Sequence, residues 1–115
     1  MIFRHLATGA RRPDAFRINE AIEGNLTRLM LVGELDMASC RQLDRRLDEL
    51  ARAGSPNIEI DFSKITFMDS SGLGVLLGAR RKFAGEERSL VLTGVHPDLM
   101  RIFDLTGVAR YFEFV

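Results

Sequence analysis

The sequence feature that most constrains the fold is the junction at residues 69–74, Asp-Ser-Ser-Gly-Leu-Gly, where a strand-like run passes directly into a helix-like run. The first residues of a helix leave backbone N–H groups unpaired and carry the positive end of the helix dipole. Ser70 or Ser71 could act simply as the N-cap. A phosphate at the same place would also meet ready-made donors. Spacing leaves both interpretations open and does not choose between the two serines.

The first half of the chain predicts a β-hairpin followed by a β-α-β crossover. Residues 16–22 and 27–32 are strand-like, and Gly24-Asn25 between them suits a tight turn, so this pair is expected to be antiparallel. Apolar residues at spacings of three and four then predict a helix that Asp36 would cap. They are Met37, Cys40, Leu43, Leu47, Leu50 and Ala51. The strand at 57–62 follows this helix and should therefore lie parallel to its partner.

The second half predicts a helix over about residues 70–84, a short strand at 89–93 and a third helix that opens at His96 and ends at Gly107. Residues 110–115 fit either a last edge strand or a short final helix. We interpret His96 as a turn residue, because no cysteine or second histidine lies near it to complete a metal site.

These elements predict an α/β protein with a mixed sheet of four or five strands, antiparallel at the start and parallel in the middle, and three to four helices. The 115 residues are the length of one domain. Residues 16–115 form that domain, and residues 1–15 are an N-terminal arm or an extra edge strand from Ile2 to Leu6. An exposed sheet edge near either terminus would allow a weak homodimer.

Charge and composition indicate a soluble protein of the cytoplasm. Lysine plus arginine and aspartate plus glutamate both number 16, so no basic excess favours nucleic-acid binding. No apolar run approaches the ~20 residues of a membrane span, and the N-terminus lacks the apolar core of a signal peptide. Cys40 is the only cysteine, and its place on the apolar helix face predicts a buried small hydrophobe.

The chain lacks the residue patterns that enzymes use. Its two histidines, His5 and His96, are not placed to activate a nucleophile. No phosphate-binding loop, dinucleotide fingerprint or metal-ligand spacing occurs. We therefore expect no catalysis, no cofactor and no metal, and we expect the protein to be acted upon instead.

The second predicted helix carries a stripe of small residues, Ser71, Gly74 and Gly78, that ends in Lys82. Each glycine inside a helix costs about 1 kcal/mol relative to alanine, so the two glycines require a reason. One reason is close packing against a neighbouring helix or strand. The other is a flat surface beside the serines that a partner protein can approach. The residues alone leave both open.

The motifs resemble one family. The run from residue 58 through the 69–74 junction to Gly78 resembles the STAS domain of bacterial anti-sigma factor antagonists. Gly-Glu-Leu-Asp at residues 33–36 is similar to a second signature of that family, and Asp-Leu-Thr-Gly-Val at residues 104–108 looks like a third. The resemblance covers about residues 16–115 and implies a STAS-like single domain.

The resemblance implies a phosphorylation switch at Ser70, since the modified residue of the family is the first serine after the aspartate. Unphosphorylated protein would bind an anti-sigma factor that is also a serine kinase, which frees the sigma factor. Phosphorylation would end binding, and a separate serine phosphatase would restore it. The predicted partner-binding residues are Asp36, Asp69, Ser71, Gly72, Gly74 and Gly78. The alternative is a phosphorylation-independent STAS scaffold or accessory protein in another bacterial complex.

Overall fold

The computed structural model describes residues 2–4 and 15–115. The strands of this part are β1 (Ile2–Arg4), β2 (Arg17–Glu23), β3 (Leu26–Leu35), β4 (Asn57–Asp69), β5 (Ser89–Thr93) and β6 (Glu113–Phe114). The helices are α1 (Met37–Arg52), α2 (Ser70–Lys82), α3 (Pro97–Thr106) and a 3-10 helix at Ala109–Tyr111. Residues 5–14, which hold most of the predicted N-terminal arm, lie outside the described residues.

The strands form one mixed sheet in the order β2-β3-β4-β5-β6, five strands as predicted, and β1 adds a sixth off this path. Strands β2 and β3 are antiparallel and turn at Gly24, whose φ is 59°. The pairs β3–β4, β4–β5 and β5–β6 are parallel. Strand β1 pairs antiparallel with the end of β4, and Ile2 lies opposite Asp69.

Strands β3 and β4 are longer than the sequence pattern predicts. Their register shifts between Met30 and Val32 and again between Gly33 and Glu34. Gly33 has a φ of 107°, a conformation that favours glycine, so the second shift explains the glycine of the Gly-Glu-Leu-Asp motif. The shifts break the alternation of buried and exposed residues along β4, which is why the pattern predicted that it ends at Phe62.

One continuous core lies between the sheet and the helices. Helix α1 buries Cys40, Leu43, Leu47 and Leu50, as the spacing predicts. Its outer face carries ion pairs, such as Arg46 with Glu20 at 2.7 Å.

Met37 was predicted to face this core, and that prediction is wrong. The side chain of Met37 is 66% exposed. Met37 is the first residue of α1, at the carboxyl end of β3, and it precedes the turns of the helix that bury Cys40, Leu43 and Leu47. Ala51, at the other end of the predicted apolar face, is only half-buried.

The C-terminal part adds α3 and the last strand of the sheet. His96 caps α3, and its Nδ1 accepts from the Asp98 amide at 3.3 Å, in agreement with its interpretation as a turn residue. Gly107 ends α3 with a φ of 75°.

The two alternatives for residues 110–115 each hold in part, because a 3-10 helix is followed by β6. Phe114 packs edge-on against Phe103, with ring centroids 5.3 Å apart.

Candidate functional site

Two helices begin side by side at the carboxyl ends of two neighbouring strands. Strands β3 and β4 are parallel neighbours, and Leu35 lies opposite Met68 at the end of the pairing. The next residue of each strand, Asp36 and Asp69, is the N-cap of α1 and of α2 respectively. The fold thus brings together two motifs that are more than 30 residues apart in the sequence, as expected at the carboxyl ends of parallel strands.

Asp69, not a serine, caps α2. Its carboxylate accepts from the Ser71 amide at 2.9 Å and from the Ser71 hydroxyl. The hypothesis that Ser70 or Ser71 is the N-cap is therefore wrong. Aspartate is as good a cap as serine, so propensity alone could not distinguish them.

Ser71 is half-buried beneath this edge, and its hydroxyl is already engaged. Its side chain also lies close to the Cys40 thiol, so the first turns of α2 and α1 pack together here. Cys40 is buried as predicted, and burial raises the pKa of its thiol. Ser71 therefore helps to hold the two helices together.

Ser70 differs from Ser71 in every one of these respects. It is the first residue of α2 and is exposed. Within the described part of the chain its hydroxyl makes no hydrogen bond. The Asp69 carboxylate bonds Ser71 and makes no hydrogen bond to Ser70 in the described part of the chain. Ser70 is therefore an accessible hydroxyl at the start of a helix.

Asp36 is fixed by a capping box. Its Oδ1 accepts from the amides of Ala38 at 3.1 Å and Ser39 at 3.0 Å, and Ser39 Oγ accepts in return from the Asp36 amide at 2.8 Å. The hydrogen bond from the Ser39 amide is the main reason that the pKa of Asp36 lies below its ordinary value of 3.8.

The lowered pKa predicts acid sensitivity. A depressed folded-state pKa adds stability above the unfolded-state value, and this stability is lost as the pH falls through the folded-state pKa. Asp36→Asn keeps a good cap but cannot ionise. We expect wild type to have a higher free energy of unfolding than Asp36→Asn at neutral pH. This difference should shrink as the pH falls below 3.8, the ordinary pKa of an aspartate. Urea titrations at several pH values measure it, and a pH-independent difference would contradict the prediction.

The glycines of α2 fall into two kinds. A Cβ on Gly72 would lie 2.8 Å from Sδ and Cγ of the buried Met68, and 3.1 Å from Leu35 Cδ2. Gly72 therefore allows α2 to lie close to the strands. A Cβ on Gly74 or on Gly78 would have no atom within 4 Å. Close packing within this domain, one of the two explanations for these two glycines, is thereby excluded for the described residues.

The two kinds of glycine should respond oppositely to substitution. Gly72→Val is expected to lower the free energy of unfolding by about 1–3 kcal/mol, because the added atoms overpack the contact with Met68. Gly74→Ala is expected to raise it by about 0.5–1 kcal/mol, because it removes the entropy penalty of glycine. Urea denaturation of both variants measures the difference, and equal shifts would show that the packing at Gly72 is not tight.

The charged end of the small-residue stripe is occupied within the domain. Lys82 Nζ lies 2.6 Å from Asp44 Oδ1, so the lysine ties the end of α2 to the middle of α1. The open positions of the stripe are therefore Gly74 and Gly78, and the exposed Ser70 precedes them at the start of the helix. The exposed Met37 also belongs to this end of the sheet, because it follows Asp36 at the start of α1. Sequence reasoning missed Met37 as a surface residue, although its position in the first turn of the helix was a signal that could have found it.

Two classes of site find no support in the described residues. In the part of the chain that the structure describes, no three histidine, cysteine, aspartate or glutamate side chains cluster in a way that could hold a metal. Over the same residues, no helix combines the length and apolar character that a membrane span requires.

Known proteins share this architecture. A family model described as "Mlab, STAS domain" matches residues 18–115. An anti-sigma-B factor antagonist of Staphylococcus epidermidis is 29% identical over 76 residues, which cover 66% of this chain and 70% of that protein. The crystal structure of an anti-sigma factor antagonist from Mycobacterium paratuberculosis aligns with a TM-score of 0.80 at 24% identity, covering 91% of this chain and 89% of that one.

The anti-sigma factor antagonist SpoIIAA aligns in two states. Its unphosphorylated form gives a TM-score of 0.69 at 24% identity, covering 88% of this chain and 87% of that one. The phosphorylated form of the Bacillus protein gives 0.68 at 24% identity, covering 88% and 91%. These likenesses confirm the predicted α/β class, and the family match confirms the resemblance inferred from the motifs. The chain belongs to the STAS domain family.

Proposed function

We propose that this STAS domain is an anti-sigma factor antagonist whose partner is an anti-sigma factor that is also a serine kinase. Binding of the unphosphorylated protein to that kinase frees a sigma factor, and both proteins act in the cytoplasm. The observation that carries the proposal is the position of Ser70, an exposed hydroxyl at the start of α2. It adjoins an open helix face on which Gly74 and Gly78 have free space around them.

Phosphorylation of Ser70 would act as a binding switch. The kinase would transfer the γ-phosphoryl group of ATP to Ser70 Oγ and release ADP and a proton. The product carries about −1.5 to −2 charges, which the start of a helix tolerates within the domain. At an interface the same dianion, next to the carboxylate of Asp69, would be desolvated at high cost. The affinity would fall without refolding, and a serine phosphatase would reverse the change.

The predicted contact residues have different parts in this proposal. Asp36 and Asp69 fix the two helix starts, and Gly74 and Gly78 leave the face of α2 flat. Ser71 and Gly72 lie beneath that surface and support it. Met37, which is exposed beside Asp36, adds an apolar side chain to the same edge.

A reconstitution tests the proposal. A candidate anti-sigma kinase from the same genome is loaded with its sigma factor, and this protein is added at increasing concentration. Release of the sigma factor, measured by size-exclusion chromatography, supports the proposal. If the folded protein does not cause any candidate kinase to release its sigma factor, the proposed antagonist function is wrong.

A phosphorylation-independent STAS scaffold or accessory protein is the second candidate. The family description "Mlab, STAS domain", which does not name an antagonist, favours it. Such a protein would use the face at Gly74 and Gly78 without modification of Ser70. A partner whose affinity for the protein is unchanged by Ser70→Asp would distinguish this candidate from the phosphorylation switch.

A further inference from the structure

A basic groove lies at the opposite end of α2 from Ser70. It has a volume of about 380 Å³, and Arg80, Arg81, Arg88, Tyr111 and Glu113 are among its lining residues. At 1.5 Å per residue along the helix, Arg80 lies about 15 Å from Ser70. The groove therefore lies at the other end of α2 from the Ser70 hydroxyl and begins just beyond Gly78.

Its arginines are held in place. Arg88 donates from Nη1 to the Lys82 carbonyl at 2.7 Å and from Nη2 to the Ala51 carbonyl at 2.9 Å, so it closes the ends of both helices. Its guanidinium also lies 5.5 Å from the centre of the Phe83 ring. An arginine has five N–H donors, so the two bonds leave others for a ligand.

Tyr111 holds two further guanidinium groups. Arg80 lies 5.3 Å and Arg110 5.0 Å from the centre of its ring. The tyrosine is 41% exposed, so the pair of stacked arginines stands at the surface. Side chains that are already fixed lose less entropy when a ligand binds.

The lining of the groove carries more positive than negative charge, with three arginines and one glutamate. Across the described residues, no carboxylate oxygen lies within 4.0 Å of a guanidinium nitrogen of Arg80, Arg81, Arg88 or Arg110. Arg88 bonds neutral carbonyls, and Glu113 is the acidic member of the lining. Three guanidinium groups against one carboxylate in the lining, with Arg110 beside them on the Tyr111 ring, form a site that complements negative charge.

We propose that this groove binds an acidic, extended segment of a partner protein. Ser89 and Leu90 of β5 line the groove, and β6 pairs only with the residues that follow them, Val91 and Leu92, so this part of β5 has no β6 partner in the described chain. An extended segment can pair with such a stretch through its main chain while its acidic side chains meet the arginines. The proposal does not depend on phosphorylation of Ser70.

A titration of the full ¹⁵N-labelled chain with an acetylated, amidated hexaglutamate peptide tests the proposal. Six extended residues span about 20 Å, enough to cross the groove. We expect saturable shifts at the amides of Arg81, Ser89, Tyr111 and Glu113. Arg80→Gln combined with Arg81→Gln should weaken binding at least tenfold, and Glu113→Gln should strengthen it several-fold, because it removes the opposing carboxylate.

The matched control removes two other exposed arginines, Arg41 and Arg45, which lie on α1. Arg41→Gln combined with Arg45→Gln should bind the peptide within twofold of wild type. Equal weakening by the two double variants would overturn the proposal, as would shifts that do not saturate. Tighter binding of a dodecamer of uridylate or of inorganic pyrophosphate at the same amides would also overturn it, because the occupant would then not be an acidic protein segment.

Discussion

Ser70→Asp should reduce the affinity for the cognate anti-sigma kinase at least 100-fold, whereas Ser70→Ala should bind like wild type. An unpaired charge buried at an interface costs roughly 3 kcal/mol or more, and 1.4 kcal/mol corresponds to a factor of ten in affinity. Alanine removes a hydroxyl that has no hydrogen-bond partner within the described chain, so little is lost. Isothermal titration calorimetry with the purified kinase measures both affinities.

Two controls separate this effect from damage to the fold. An aspartate in the first turn of a helix interacts favourably with the dipole, so Ser70→Asp should unfold at the same temperature as wild type or slightly higher. Ser63→Asp makes the same change at an exposed serine of β4, away from the start of α2, and should bind normally. The switch hypothesis is wrong if Ser70→Asp and Ser70→Ala both bind the kinase like wild type.

Gly74→Leu should weaken kinase binding at least tenfold while leaving the domain as stable as wild type or more so. The position is exposed, and a Cβ there would have no neighbour within 4 Å in the described chain, so we expect leucine to remove the helix penalty of glycine without a clash. The same side chain would stand between α2 and a partner that lies flat on it. A series from Gly74→Ala to Gly74→Leu to Gly74→Trp should bind progressively more weakly, as measured by calorimetry.

Arg45→Leu is the matched control for this series. It places the same side chain on the exposed face of α1, where no contact with the kinase is proposed. It should bind normally. If Gly74→Leu and Gly74→Trp also bind normally, the open face of α2 is not the contact surface, and the two glycines would have no explanation in the described structure.

The hairpin, the crossover and the helix that follows Asp36 could be predicted because each is encoded locally. Gly24 marks the turn, apolar spacing marks α1, and a short loop decides the antiparallel pairing. The two aspartates that the motifs single out, Asp36 and Asp69, follow neighbouring strands of the parallel pair β3–β4. In parallel strands the residues that follow each strand lie together whatever their separation in the chain.

What could not be predicted depends on tertiary contacts. Two register shifts extend β4 to Asp69, and no sequence period announces such a shift. The choice of Asp69 over the serines as N-cap, and the exposure of Met37, depend on where the strand ends beneath the helix. The different roles of Gly72 and Gly74 depend on whether a neighbour lies within reach of a Cβ, which is a property of the folded chain.

The central claim is that the exposed hydroxyl of Ser70, and not the engaged hydroxyl of Ser71, receives the phosphate. Intact-mass spectrometry after incubation with ATP and candidate anti-sigma kinases from the same genome tests it, with fragmentation to locate the modification. We predict one phosphate, on Ser70, that is lost in Ser70→Ala and retained in Ser71→Ala. A phosphate on Ser71, or none from any candidate kinase on the folded domain, would contradict the claim.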